Sequence, residues 1–317
     1  SCRVLNRSVT LRRELCIDLV LQKLANRYLI VGRHPRRVNR EYYLAATGAA
    51  RALFIQAFSD TEMAISKRRQ AADKFRSEMR RSNELHVQYL NDPSALHNYD
   101  RFTRWQLDYL LPFFSDLHTL PGYAEAIDFT MSDLAGVGIS DRDRDLERAA
   151  PAITRMLPLQ ALQTIAAAAE MNARVLEINT AICQCLLVDE ALPQEISELD
   201  YCVACRKASS LEDCVELVHL ITGLGSTLKT LVTIPLLGGM LRAMRGPAHA
   251  AGFGALQEFL QQGYATFKQI PDIDRFLSEI ETRMTHMFEI IYTAPLAELG
   301  QPGVAARQAT RVTAHSD

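Results

Sequence analysis

The sequence has few of the features that mark secreted, membrane-spanning or disulfide-rich proteins. It contains one tryptophan, and aromatic residues make up only 7% of its 317 residues. Its seven cysteines are an odd set in a long chain, unlike the framework of a small secreted domain, and favour a reducing compartment. No amino-terminal signal pattern is visible, and Lys229, Pro235 or Arg242 interrupts the apolar runs. We therefore predict a cytoplasmic protein with no membrane span.

Patterns typical of known catalytic and cofactor sites are also missing. There is no G-x-S-x-G, and the Gly223-x-Gly225 and Gly252-x-Gly254 pairs lack the strand and spacing of a dinucleotide site. No strand pattern exceeds a few residues, and no repeat of fixed period occurs. The sequence favours a non-enzymatic protein of all-α fold, and we predict no cofactor.

Charge is distributed unevenly along the chain. Residues 1–81 hold eighteen Lys and Arg against seven Asp and Glu, although the net charge is only −2. This predicts a basic helical amino-terminal segment, residues 1–92, that prefers an acidic partner. A solvated helix face explains the charges more simply than nucleic-acid binding, because no nucleic-acid motif and no interleaved aromatic residues accompany them. The candidate contacts for nucleic acid or another acidic partner are Lys67, Arg68, Arg69, Arg76, Arg80 and Arg81.

The densest helix signals lie in residues 234–268. Thr233 and Pro235 predict the start of a short helix, Gly246 its end, and Pro247 the start of a second helix. Apolar positions at helical spacing in both predict a hairpin whose apolar sides face the core. The positions expected to face the core in the first helix are Leu236, Leu237, Met240, Leu241 and Met244.

Further patterns predict about ten helices in a multi-helix bundle. A capping box at Ser59–Glu62 predicts a new helix, residues 158–188 a central core helix, and Ser197 the cap of a short helix. Pro271 predicts the start of the last helix, which should end near residue 291. A boundary near Pro93 separates residues 1–92 from a helical domain at 99–291, and residues 296–317 are predicted to be a disordered tail.

Five stretches occur in the order found in one known family. They are RWQLDYLLPFFSDLHTLPGYAEAIDFTMSDLAG, SDRDRDLERAAPAITRMLP, TIAAAAEMNA, PLLGGMLRAMRGPAHAAGFGALQEFLQQGYATF and PDIDRFLSEIETR. Through these stretches the chain resembles the uncharacterised bacterial FFLEELY motif family over roughly residues 100–290. In the naming motif itself Phe129, Asp133, Leu134 and Gly136 fit, whereas Thr130, Met131, Ser132 and Ala135 depart. The resemblance implies an all-helical fold and supplies no catalytic residue.

Glu216 and His219 form the sharpest metal-binding candidate. A carboxylate and an imidazole three residues apart on a helix can bind one metal ion, as in di-iron bundles, which carry this motif twice. No second copy is present, so a surface Glu with a His near the core is the simpler explanation.

Two cysteine pairs are a weaker candidate for zinc. Cys202 and Cys205 have a usual ligand spacing, whereas Cys183 and Cys185 point about 200° apart on a helix. Free cysteines that pack as small apolar residues explain the four positions more simply.

Polar residues of the predicted hairpin are the candidate ligand site. Arginines and helix-end N–H groups between two helices can bind a carboxylate or a phosphate, or the arginines can instead fix the hairpin by bonding nearby groups. The candidates are Arg242, Arg245, His249, Gln257 and Glu258. The leading expectation is a protein–protein interaction or regulatory module with an unknown protein partner. The alternative is a helical protein, enzymatic or not, that binds a small ligand or a metal through either Arg242 and Arg245 or Glu216 and His219.

Overall fold

The computed structural model describes residues 40–130, 139–157 and 159–299. Within these ranges the chain forms eleven α-helices and two short 3₁₀-helices, and no β-strand, so the predicted all-α class is confirmed. Residues 1–39 of the predicted basic segment lie outside the described residues, as does most of the predicted tail. The first four residues of that tail, Leu296–Leu299, form a short helix.

The helices follow one another with short connections. They are α1 (Arg40–Leu90), α2 (Pro93–Leu110), α3 (Ala124–Phe129), α4 (Ile139–Met156), α5 (Leu159–Leu186), α6 (Glu198–Ala208), α7 (Leu211–Val232), α8 (Leu237–Ala250), α9 (Gly254–Gln269), α10 (Ile273–Thr293) and α11 (Leu296–Leu299). The 3₁₀-helices, Leu111–Phe114 and Leu117–Thr119, lie between α2 and α3. Ser59 to Glu62 lie inside α1, so the prediction of a new helix there is wrong. The flanking alanines and long unbranched side chains favour helix on both sides and outweigh one capping signal.

The chain divides into two compact units, residues 1–67 and 68–317. The described part of the first unit, residues 40–67, is helical. The core of the second unit is arranged around α5, which contacts α2, α6 and α7, and around α7, which also packs along α10. Leu162, Ala173 and Ile182 of α5 are buried, so the predicted central core helix is confirmed.

Side-chain caps fix several helix starts. The Ser197 hydroxyl accepts the Asp200 N–H at 3.1 Å and begins α6 as predicted. The Asp272 carboxylate accepts the Arg275 N–H at 3.0 Å, so α10 begins just after the predicted Pro271. Such caps satisfy N–H groups that have no partner within the helix.

A buried charge ties α10 to the 3₁₀ region. The guanidinium of Arg283, which is only 7% exposed, donates to both carboxylate oxygens of Asp116 at 2.6 and 2.7 Å. It also donates to the Phe113 carbonyl at 3.0 Å and to Glu279 at 3.1 Å. Hydrogen bonding from Arg283 holds the pKa of Asp116 below its ordinary value.

Candidate functional site

Helices α8 and α9 pack against each other, so the predicted hairpin is confirmed, but its first helix starts later than expected. Thr233 caps the carboxyl end of α7, where its hydroxyl donates to the Thr230 carbonyl at 2.7 Å. It therefore does not start α8. Leu236 precedes α8 with a left-handed φ of 68°, an unusual conformation for a non-glycine residue.

The predicted break at Gly246 and Pro247 is also wrong, because both residues lie inside α8. Without a Cβ, Gly246 avoids the clash that a proline ring makes with the preceding residue in a helix. The helix ends instead at Gly252, whose φ is 77° and whose N–H bonds to the His249 carbonyl at 3.0 Å. The Phe253 N–H bonds to the Ala248 carbonyl at 2.8 Å, which completes a Schellman cap.

The outward side of α8 is apolar and exposed, contrary to the prediction that it faces the core. Leu236, Met240 and Met244 are 83%, 60% and 53% exposed, and α8 has no buried residue. Leu237 and Leu241 are half-buried and face the hairpin instead. The helix covers the bundle with only part of its apolar surface, because the sequence is apolar over more of its circumference than one neighbour can cover. We call the exposed residues Leu236, Met240, Ala243, Met244 and Pro247 the outer face.

A cleft of about 640 Å³ lies between the first half of α8 and the second half of α9. It is lined by Leu236, Gly238, Gly239, Leu241, Arg242, Gln261, Tyr264, Ala265, Lys268 and Gln269. Two of these side chains are cationic, and no carboxylate is among the described residues that line the cleft. The first turn of α8 has no side-chain cap and no acidic residue, so its positive end adds to the charge.

The shape of the cleft depends on close packing at Gly238. A methyl group there would lie 2.6 Å from Cε1 of Tyr264, so the ring rests directly on the α8 backbone. Lys268 is one turn after Tyr264, and its Nζ lies 5.7 Å from the centre of that ring. Sequence analysis did not include Tyr264 and Lys268 among the candidate site residues, although their spacing places them on one face of a helix.

The structure separates the predicted ligand residues of the hairpin. Arg242 lines the cleft, whereas Gln257 is buried and donates to the Leu241 carbonyl at 2.5 Å, which joins the two helices. His249 Nε2 lies 3.3 Å from Glu258 Oε1, at a partly exposed pair. The hydrogen bond that joins α8 and α9 thus comes from Gln257 and not from Arg242 or Arg245, the two arginines expected to fix the hairpin in the simpler alternative.

The comparison with protein families finds one profile that matches this chain, the Domain of unknown function (DUF8198), over residues 86–296. The match covers about two thirds of the chain and includes the whole hairpin. The chain belongs to the DUF8198 family. This agrees with the expectation of an uncharacterised helical family over residues 100–290, while the FFLEELY assignment itself is not confirmed. No curated protein and no solved structure matches.

Glu216 and His219 lie on the surface of α7 within the DUF8198 region. Both are exposed, and His219 Nε2 is 3.7 Å from Glu281 Oε1 of α10. Among the residues that the structure describes, no three His, Cys, Asp or Glu side chains are grouped as a metal site requires.

The cysteines of the DUF8198 domain are mostly buried in apolar packing. Cys183 is buried while Cys185 is exposed, as expected for opposite sides of a helix. Burial raises the pKa of Cys183 to about 11 and that of Cys202 to about 12, and it also raises the pKa of Cys205. All three side chains belong to the apolar core, as the simpler explanation predicts.

Several basic residues of α1 serve the fold. Arg68 donates to the carbonyls of Thr154, Arg155 and Leu157 at 3.0, 2.8 and 2.6 Å, and so caps the end of α4. Arg81 forms a bidentate pair with Glu177 of α5.

The other predicted basic contacts lie at the surface. Arg69 and Arg76 pair with Asp73 at 3.9 and 2.5 Å, and Lys67 and Arg80 are exposed. The predicted basic surface is thus partly neutralised by acidic neighbours, a distribution that the count of Lys and Arg alone does not reveal.

One described helix, α7, is long and apolar enough to cross a membrane by length and composition. The buried core helix of a soluble protein passes the same test. In this structure Cys214, Leu217, Val218 and Leu224 of α7 are buried, and the helix packs along α10 and against α5 and α9.

Proposed function

We propose that this member of the DUF8198 family is a non-enzymatic protein–protein interaction module whose contact surface is the outer face of α8. The observation that carries the proposal is the exposure of Met240 and Met244 on α8 and of Leu236, the residue directly before it. Single exposed apolar residues are ordinary on protein surfaces, whereas a contiguous apolar patch is typical of a binding surface.

The composition of the outer face fits a protein partner. Methionine side chains are flexible and polarisable, so they adapt to an apolar surface better than branched residues do. Ala243 and Pro247 lie at helical spacing from Met240 and are also exposed, which leaves the face free of charge over three turns.

The charge of α8 indicates the chemistry of the partner. Arg242 and Arg245 are exposed, and no ion pair within the described residues involves either of them. A partner surface that is apolar at its centre and carries carboxylates at its rim would bury the outer face and pair both arginines. Interfaces commonly combine an apolar core with a polar rim, and arginine is enriched in them.

Site-specific photo-cross-linking in cells tests the proposal. A photoreactive phenylalanine in place of Met240 should give one discrete cross-linked protein. The same group in place of Val188, an apolar residue that is 64% exposed between α5 and α6, is the matched control and should not give that product.

The purified partner then gives the quantitative test. Met244→Asp should weaken its binding at least tenfold, because a carboxylate would be buried in an apolar contact and placed against an acidic rim. The proposal fails if the same product forms from Val188, if Met244→Asp leaves the affinity unchanged, or if the product contains only lipid. A product made of two copies of this chain would identify self-association as the interaction.

A second candidate function, binding of a small ligand, is supported by the cleft between α8 and α9. It concerns Arg242 and Lys268 rather than the outer face.

A further inference from the structure

We propose that the cleft between α8 and α9 binds a small amphiphilic anion. Its carboxylate or phosphate group would lie at Arg242 and Lys268, and its apolar body against Leu236, Leu241 and Tyr264. This site shares Leu236 and Arg242 with the proposed partner surface, whereas Leu241, Tyr264 and Lys268 belong to the cleft alone.

The described lining of the cleft carries two cations and no carboxylate. Lys229 of α7 pairs with Asp274, and Arg283 of α10 pairs with Asp116. Arg242 and Lys268 line one cleft whose described lining contains no carboxylate, and no ion pair between described residues involves either of them. A concave surface with two unneutralised cations attracts an anion more strongly than a flat surface with the same charges.

The remaining lining decides what kind of anion fits. Leu236, Leu241 and Ala265 are apolar, and Tyr264 presents a ring beside the Lys268 ammonium. An inorganic ion alone would leave this surface in water. The volume of about 640 Å³ lies within the range of small-molecule sites, which combine an apolar lining with a few polar groups that orient the ligand.

The backbone next to the cleft has features that packing within the chain does not explain. Leu236 adopts a left-handed φ of 68° although it is not a glycine, and it borders the cleft. Residues in such conformations are concentrated at binding and catalytic sites. Gly239 also lines the cleft, and a Cβ there would meet nothing within 4 Å. The absence of a side chain at Gly239 leaves this part of the cleft open, although Gly223 and Gly246 are equally open elsewhere.

Equilibrium dialysis of the full chain with radiolabelled decanoate tests the proposal. We expect saturable binding of one decanoate per chain. Decyl phosphate should compete, and decanol, which has the same apolar body without the charge, should compete at least tenfold more weakly. The relative strength of decanoate and decyl phosphate distinguishes a carboxylate from a phosphate ligand. Arg242→Gln and Lys268→Gln should each weaken binding three- to tenfold, as expected for charge-assisted bonds at exposed side chains.

A pair of leucine substitutions tests the location. Gly239→Leu should fill the cleft and abolish binding, and because nothing lies within 4 Å of its Cβ, the fold should tolerate the change. Gly223→Leu, at an equally open helical glycine outside the cleft, is the matched control and should leave binding intact. Circular dichroism of both variants should show unchanged helix content.

Four results would overturn the proposal. They are the absence of saturable binding by decanoate and decyl phosphate, competition by decanol as strong as by the anions, binding that survives Gly239→Leu, and equal loss in both leucine variants. Association with anionic vesicles without binding of monomeric decanoate would also overturn it, and would point to a membrane surface. Met240→Ser on the outer face should not change decanoate binding. If it does, the anion binds to the outer face and the cleft assignment is wrong.

Discussion

Two glycines of α7, two residues apart, should respond oppositely to the same substitution. Gly223 is exposed, and a Cβ added there would meet nothing within 4 Å. Gly225 is buried, and its added Cβ would lie 3.1 Å from Cδ1 and closer still to Cδ2 of Leu277 on α10. Leu277 is itself buried, so its side chain cannot move into solvent. Comparing the alanine variants of Gly223 and Gly225 therefore separates the effect of packing between α7 and α10 from the effect of helix propensity.

The expected changes in the free energy of unfolding follow from helix propensity and from packing against Leu277. Gly223→Ala should raise the free energy of unfolding by about 0.8–1 kcal/mol, the helix-propensity difference between the two residues. Gly225→Ala gains the same amount but should lose about 1–3 kcal/mol by overpacking against Leu277. The two alanine variants should therefore differ by about 1–3 kcal/mol, or by several degrees in Tm for a chain of this size.

Urea denaturation followed by circular dichroism at 222 nm measures the difference. A double-mutant cycle with Leu277→Ala adds a second test, because the smaller side chain makes room for the new methyl group. In the Leu277→Ala background, Gly225→Ala should lose most of its penalty, while Gly223→Ala should keep its gain. If both alanines stabilise the wild-type chain equally, then α7 does not pack on α10 as closely as described, and the assignment of α7 as a core helix is wrong.

Three further experiments test other interactions. Arg68→Ala should lower the free energy of unfolding by about 1–3 kcal/mol, because three carbonyls at the end of α4 lose a charged donor. Arg69→Ala, at the exposed neighbour, should change the free energy of unfolding by less than about 0.5 kcal/mol. Urea denaturation compares the two variants. Asp116→Ala should cost about 1–2 kcal/mol at pH 7, since the carboxylate is half-exposed. Because the pKa of Asp116 is depressed in the folded protein, its contribution to the free energy of unfolding is fully present above the ordinary aspartate pKa. That contribution is lost as pH falls through the folded pKa. The free energies of unfolding of Asp116→Ala and wild type, measured as a function of pH, should therefore converge in acid. Iodoacetamide at pH 8 should modify Cys185 in the native protein, because this thiol is exposed, and Cys183 only after unfolding. Peptide mass spectrometry measures the modification of each cysteine. Modification of both at equal rates would contradict the burial of Cys183.

The two proposals share Leu236 and Arg242 but are tested at different residues. Cross-linking at Met240 examines the outer face, whereas dialysis of the Gly239→Leu variant examines the cleft. A protein that passed both tests would carry a ligand site directly beside its partner surface, with Leu236 common to both. In that case, decanoate should change the affinity for the partner, and the partner should change the affinity for decanoate by the same factor.

Local sequence was sufficient to predict the helical class, the central helix α5 and the start of α6. These features depend on periodicity and on caps such as Ser197, whose partners lie within one turn of the chain. The hairpin of α8 and α9 was also predictable, because its apolar positions recur at helical spacing. Its boundaries were not, since Gly246 and Pro247 resemble a helix end although Gly252 forms the actual cap.

The choice of buried side in α8 depended on tertiary packing. Periodicity shows that a helix has an apolar side, but it does not show how much of that side a neighbouring helix covers. Met240 and Met244 match the pattern of core residues and yet lie in water, because α9 contacts only the side that carries Leu237 and Leu241.

Long-range pairing likewise decided the roles of the charged residues. Arg68 and Arg69 are adjacent and chemically identical in sequence, yet one caps α4 from 89 residues away and the other lies in solvent. Arg242 and Lys268 line one cleft for the same reason, since only the folding of α8 against α9 places residues 26 positions apart at one surface. Charge type was encoded locally, whereas the group that each charge faces was determined by the packing of the helices.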